Sequence, residues 1–162
     1  MTQARHPSIR SYTERMEAIP SDPAGYRSYQ SYHDQISTAI DRELSKFSDP
    51  QSLNRLFWEC HGMAASAPPV PQDRLQWRDP FSESLVAMMY RLAEINSEES
   101  ARILVELWAN ENAGWDGGAA LGAADAIVRC GVKAIPYLER RPESHQQKRL
   151  LHLIRSGTET AL

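Results

Sequence analysis

The amino-acid sequence predicts an all-α fold of about seven or eight antiparallel helices, and three observations carry that expectation. Apolar residues recur three and four positions apart, as in Ile36, Ile40, Leu44 and Phe47 or Leu85, Met88, Met89 and Leu92, which is the spacing of one helix face. Capping residues, prolines and glycines punctuate these runs where helices would start and stop. No run alternates apolar and polar residues as a half-buried strand does.

Between Pro7 and Pro20, Ile9, Tyr12, Met16 and Ile19 fall at helical spacing, so residues 1–22 form either a short amphipathic helix or a free arm. A turn at 21–23 leads into a long helix with the stripe Tyr26, Tyr29, His33, Ile36, Ile40, Leu44 and Phe47. In that phase Tyr26 and Tyr29 belong to the core and Tyr32 faces solvent. Three closely spaced tyrosines also resemble a stacking platform for bases, but the core stripe accounts for two of them. Ser48, Asp49 and Pro50 stop this helix and start the next, a capping residue standing ahead of a first-turn proline. Leu53, Leu56, Phe57, Cys60 and Met63 mark its buried side. Residues 66–80, with Pro68, Pro69, Pro71 and Pro80, read as a surface linker inside a single helical domain spanning 23–162. On it, Leu75 and Trp77 either dock a partner or fold back over the core.

Asp79 ahead of Pro80 caps a helix that reaches Asn96. Ser97, followed by Glu98 and Glu99, opens another, in which the acids complement the helix dipole and Ile103, Leu104, Leu107 and Trp108 face inward. Gly114 ends it. The stretch 116–131, DGGAALGAADAIVRCG, is small or apolar on nearly every side, which predicts a central helix packed between neighbours. Its apolar arc is Ala120, Leu121, Ala124, Ile127 and Val128, and Asp125 and Arg129 sit one turn apart on a flank. Gly131 is its expected left-handed terminus. A short helix over 133–141 has Pro136 in its first turn, and Ser144 with Gln147 has the form of a capping box for a last helix ended by Gly157.

At 162 residues the chain is long enough to bury roughly 70% of its unfolded surface. Cys60 and Cys130 lack a C-x-x-C partner and read as small core residues of a reducing compartment. The first residues contain no apolar signal region, and no run approaches the length of a membrane span, so the expected location is the cytoplasm. Net charge is -3, unevenly distributed: residues 1–128 hold 11 Lys+Arg against 18 Asp+Glu, and residues 129–162 hold 7 against 3. A basic end of this kind is either a solvated surface or a way to steer an acidic partner or a second copy of the chain.

The endings of two helices repeat. Ile127-Val128-Arg129-Cys130-Gly131 matches Leu153-Ile154-Arg155-Ser156-Gly157 at an offset of 26 residues, and each helix follows another antiparallel candidate. In this order, with Pro136 and Tyr137-Leu138 in the shorter helix, residues 97–157 resemble a HEAT-like repeat protein, an α-solenoid. The offset is shorter than the ~40 residues of a standard unit, and residues 1–96 hold no alignable copy. The resemblance implies a small curved stack whose second helices line a concave face and bind another macromolecule. It carries over no catalytic residue.

The residues themselves exclude several chemistries. His145 and His152 share a helix face two turns apart, too far to chelate without further ligands; His61 points away from Cys60, and His6 and His33 stand alone. No nucleophile has the turn context of a G-x-S-x-G motif. The glycines of GWDGGAALG lack the strand and the Lys-Ser/Thr of a phosphate loop, and Asp116 puts negative charge where a phosphate would sit. The candidate binding group is therefore Trp108, Trp115, Asp125, Arg129 and Arg155, with the two arginines forming a ladder if the second helices lie side by side. The alternative is that the tryptophans fill the core and Asp125–Arg129 is an ordinary surface pair.

These features predict a non-catalytic protein–protein interaction module, a small HEAT-like adaptor or inhibitor, without cofactor or metal, monomeric or homodimeric. A toxin-neutralising immunity protein is the narrower alternative, read from charge and size. A nucleic-acid-binding or DNA glycosylase-type protein is the second, because the resemblance extends to HEAT-like glycosylases that use Trp and Asp in a cleft. The acidic net charge disfavours it.

Overall fold

The computed structural model describes residues 7–20, 23–66 and 78–157. Helices follow one another without a strand among these residues: α1 (Pro7–Glu17), α2 (Tyr29–Leu44), α3 (Pro50–Ala65), α4 (Pro80–Ile95), α5 (Glu98–Ala109), α6 (Gly117–Cys130), α7 (Ile135–Glu139) and α8 (His145–Ser156), with 3-10 turns at Pro23–Gly25, Glu111–Ala113 and Gly131–Ala134. The expected all-α class is what forms. Most of the linker, including Leu75 and Trp77, lies outside the described residues, as does His6. The chain divides into two compact units, Met1–Met88 and Met89–Leu162, and the division falls inside α4.

In the first unit, residues 7–17 form a helix whose Ile9, Tyr12 and Met16 are buried. Tyr12 is fully enclosed; its hydroxyl donates to Ser84 Oγ at 2.6 Å, and Ser84 in turn donates to the Pro80 carbonyl at 2.6 Å. A buried phenol needs such a partner. Glu43, nearly inaccessible, sits between Lys46 at 2.8 Å and Arg15 at 3.8 Å. Asp49 caps α3 as expected, accepting from the Gln51 and Ser52 amides and from Ser52 Oγ. The Ser52 hydroxyl bond, with those amides, holds its carboxyl below the ordinary range.

The tyrosine phase is corrected. Tyr32 is buried and donates to the Arg78 carbonyl at 2.7 Å, whereas Tyr26 and Tyr29 are half-exposed. The reason is local: Ser28 caps α2 by accepting from the Ser31 amide, so Tyr26 precedes the helix and cannot set its phase. Ile36, Ile40, Leu44 and Phe47 are buried as expected.

In the second unit, Ser97 and Ser100 form a reciprocal capping box at the start of α5. Ile103, Leu104, Val105 and Leu107 are buried, while Trp108 is only half-buried. Asp116 caps α6, accepting from the Ala119 amide at 2.8 Å. α6 packs on α5, on residues 131–134 and on α8, and α7 also packs on α8.

Two expectations about α6 change. Its buried side is Ala123, Ala126, Ile127 and Cys130; Leu121, assigned to the apolar arc, is 57% exposed. Neighbours meet the alanine side, where small side chains let backbones approach, and the bulkier leucine is left outside. The helix is thus open on one face and not enclosed all round. Gly131 does take a positive φ of 74°, but with ψ −143° the chain continues into a 3-10 turn. Gly157, at φ 66° and ψ 20°, is the left-handed terminus proper. The repeated endings therefore share a positive-φ glycine without sharing a conformation.

The box at α8 is half made. Ser144 accepts from the Gln147 amide at 3.0 Å, but the Gln147 side chain turns inward and donates from Nε2 to the Leu138 carbonyl at 3.1 Å. It ties α8 to α7 where a reciprocal box would have tied it to its own first turn.

Candidate functional site

α6 presents two rows of residues. At 100° per residue, Ala123, Ala126, Ile127 and Cys130 share the packed side, while Gly118, Leu121, Asp125, Val128 and Arg129 share the other. Beyond its end, Val132 stands in the 3-10 turn. Leu121 and Val132, 57% and 69% exposed, are the exposed large hydrophobic residues recorded among the described part of the chain. Leu121 stands on the open side of α6 beside the charged pair the sequence singles out, and Val132 follows Gly131 in the 3-10 turn.

Asp125 and Arg129 do pair, Oδ2 to Nε at 3.1 Å. A third residue, absent from the sequence expectation, completes the group. Tyr90 of α4 donates its hydroxyl to Asp125 Oδ2 at 2.8 Å, and the Arg129 guanidinium lies 4.8 Å from the centre of the Tyr90 ring. One side chain thus serves as hydrogen-bond donor at its tip and as a π face along its body. Burial and the adjacent Asp125 carboxylate together push the Tyr90 phenol above its ordinary pKa, so the hydroxyl keeps its proton and remains a donor. The sequence signal for it is weak: Tyr90 lies 35 positions from Asp125 and falls between Met89 and Leu92, both core residues of α4.

The result is an arginine held in place by a flat ring and a carboxylate while its side chain stays 65% exposed. Arg129 meets the carboxylate through Nε, and Oδ2 of Asp125 takes both this contact and the Tyr90 hydroxyl.

Trp115 and Arg155, two of the other expected site residues, take partners outside this group. Trp115 donates from its indole nitrogen to the Leu107 carbonyl at 3.0 Å, closing the last turn of α5, where carbonyls lack helical partners. Trp108, in the same helix, is half-buried. Arg155 of α8 pairs with Glu139 of α7, so the two arginines have separate carboxylate partners. Lys148 likewise meets Glu143 at 3.4 Å. Beside Arg155, a hollow of about 450 Å³ is lined by Lys148, Leu151, His152, Arg155 and Ser156. All five come from one helix, so it is a groove along a surface and not an enclosed site.

Among the described residues no group of three His, Cys, Asp or Glu side chains is placed to hold a metal ion, and no helix is long and apolar enough to cross a membrane. Cys60 and Cys130 are buried free thiols, and burial raises the pKa of both, the opposite of what an activated nucleophile needs. No family model matches this chain, and no curated protein or solved structure is significantly similar to it.

Proposed function

We propose that this chain is a non-catalytic protein-interaction module whose second unit is a short HEAT-like helical stack that binds through the open face of α6. The observation that carries the reading is the exposed, apolar Leu121 on the same side of α6 as the preorganised Tyr90–Asp125–Arg129 group. Apolar anchors beside an arginine and an aromatic residue are the composition of protein-binding hot spots. An arginine already fixed by its neighbours loses little side-chain entropy on engaging a partner.

Nucleic-acid binding is the weaker reading. The net charge is -3, whereas the phosphate contacts that drive nucleic-acid affinity call for a cationic surface. An adaptor or inhibitor role, an immunity partner included, follows from the same face, in the cytoplasm that the cysteine usage favours. The test is affinity capture from native lysate with the full chain as bait, beside a Leu121→Asp bait. A stoichiometric protein retained by the first and lost by the second supports the reading. Retention of nucleic acid alone, or of no stoichiometric protein, refutes it.

A further inference from the structure

The exposed side of α8 is a cationic groove, and we propose that it takes an acidic helical segment of another protein, one that sets an apolar side chain between carboxylates. This surface is separate from the open face of α6 and uses none of its residues. The charge of the second unit is divided along the chain: residues 89–128 hold 2 Lys+Arg against 7 Asp+Glu, whereas residues 129–157 hold 7 against 2. α8 itself, HQQKRLLHLIRS, carries no acidic residue. Lys148, His152 and Arg155, all exposed, recur at i, i+4 and i+7 and so share one face, with Lys148 and Arg155 roughly 10 Å apart along the axis. Leu151, buried and standing between those two cations along the axis, lines the hollow of about 450 Å³ together with them.

The hollow is open along the helix, which admits a second helix laid against it and gives a small molecule no enclosure. Its complement is a segment with one apolar residue and a carboxylate about a turn to either side. Lys148 and Arg155 already meet Glu143 and Glu139, so a carboxylate can reach each cation, but every side chain of these two pairs is at least half exposed. Ion pairs so exposed contribute little. An incoming carboxylate can therefore exchange with the internal one, and the apolar contact at Leu151 adds what the internal pairs lack. Nucleic acid fits less well, because its affinity grows with the number of phosphates neutralised and the three Lys and Arg side chains of α8 span only two turns.

Fluorescence anisotropy tests this with the full chain and a fluorescein-labelled peptide of about 15 residues, roughly four helical turns. The peptide is built from alanine and glutamate around one central leucine, with glutamates a turn to either side. At low salt the expected dissociation constant is on the order of 50 μM. Replacing the glutamates by glutamines should weaken binding at least tenfold, and replacing the leucine by serine about fivefold, a loss that charge alone does not produce. Lys148→Glu and Arg155→Glu should each weaken the glutamate peptide at least fivefold, and a chain carrying both should instead bind a peptide with lysines in place of the glutamates. Such a reversal cannot come from unfolding. Circular dichroism checks that the helices remain; if a reversal variant unfolds, the glutamine and serine peptides against the wild-type chain still decide. Leu121→Asp should leave peptide binding unchanged, so a chain that captures a partner through Leu121 but ignores the peptide keeps the α6 reading and loses this one. Absence of saturable binding, equal binding of the glutamine peptide, or indifference to both charge reversals overturns the proposal. Tighter binding of a single-stranded DNA oligonucleotide of matched charge also overturns it, in favour of a nucleic-acid site.

Discussion

Replacing Tyr90 separates the two contributions it makes to the α6 face. Tyr90→Phe deletes the hydroxyl that donates to Asp125 at 2.8 Å but keeps the ring beneath Arg129. A hydrogen bond to a charged group contributes about 1.5–3 kcal/mol when buried. Here the Asp125 side chain is 28% exposed, so water replaces part of the loss and the expected cost is roughly 1 kcal/mol. Tyr90→Leu removes the π face as well, adding about 0.5 kcal/mol, the low end for a cation–π contact, because Arg129 is largely exposed. Urea unfolding followed by circular dichroism measures both, and a thermal melt of the Phe variant should show its midpoint lowered by about 2–4 °C. In an Arg129→Gln background the gap between Phe and Leu should close to within about 0.3 kcal/mol. If Tyr90→Phe is neutral, or if the gap survives without Arg129, the site is not held together as described.

Alkaline titration follows from three phenols. Burial raises Tyr12, raises Tyr32 to about 12 and raises Tyr90. A phenol whose folded pKa exceeds its unfolded one contributes stability that is complete below about pH 10 and declines above it. Stability against urea should therefore fall beyond pH 10, with the share of tyrosinate absorbance at 295 nm that belongs to these three phenols appearing late and together with unfolding; a full signal from all six tyrosines in the folded protein at pH 10.5 would contradict the burial. Gly117→Ala and Gly118→Ala should each stabilise by roughly 0.5 kcal/mol, since an added Cβ meets nothing within 4 Å at the first and only Asp116 Oδ1 at 3.9 Å at the second; a loss of stability would mean that the start of α6 is more crowded than described. Cys60 and Cys130 should resist a thiol reagent at neutral pH in native buffer and react at once in denaturant, and rapid labelling of the native chain would refute their burial.

Legibility from sequence followed the range of the interaction. Asp49, Ser97, Asp116 and Gly157 could be read as helix boundaries because a cap is made within three or four residues of chain. The Ser28 cap is equally local, but the tyrosine spacing runs through it unbroken, and a helix started two residues too early turns Tyr32 away from the core. Gln147 had the right spacing for a reciprocal box, and a tertiary acceptor, the Leu138 carbonyl, outcompeted the local one. For α6, composition announced a helix with little bulk, but composition cannot say which side lacks a neighbour. Tyr90 was the least accessible of all, since its pairing with Asp125 depends on how α4 and α6 meet. Repeat symmetry suggests an Arg129–Arg155 ladder but gives no sign of Glu139, the carboxylate that Arg155 meets on α7.

The turn between α4 and α5 turns on Asn96, whose φ of 51° is positive. Its carbonyl accepts from Lys133 Nζ, and its side-chain oxygen lies 3.6 Å from the Cys130 thiol. Cys130 ends α6 and Lys133 stands in the 3-10 turn that follows it, so a tight turn and a helix terminus distant in sequence share hydrogen bonds. Fraying of α6 from its C-terminal end cannot proceed without stripping the Asn96 turn of its partners. Hydrogen exchange should accordingly show the amides closing α6 and the amides following Asn96 opening as one event with one free energy, a cooperative unit drawn across the sequence and not along it.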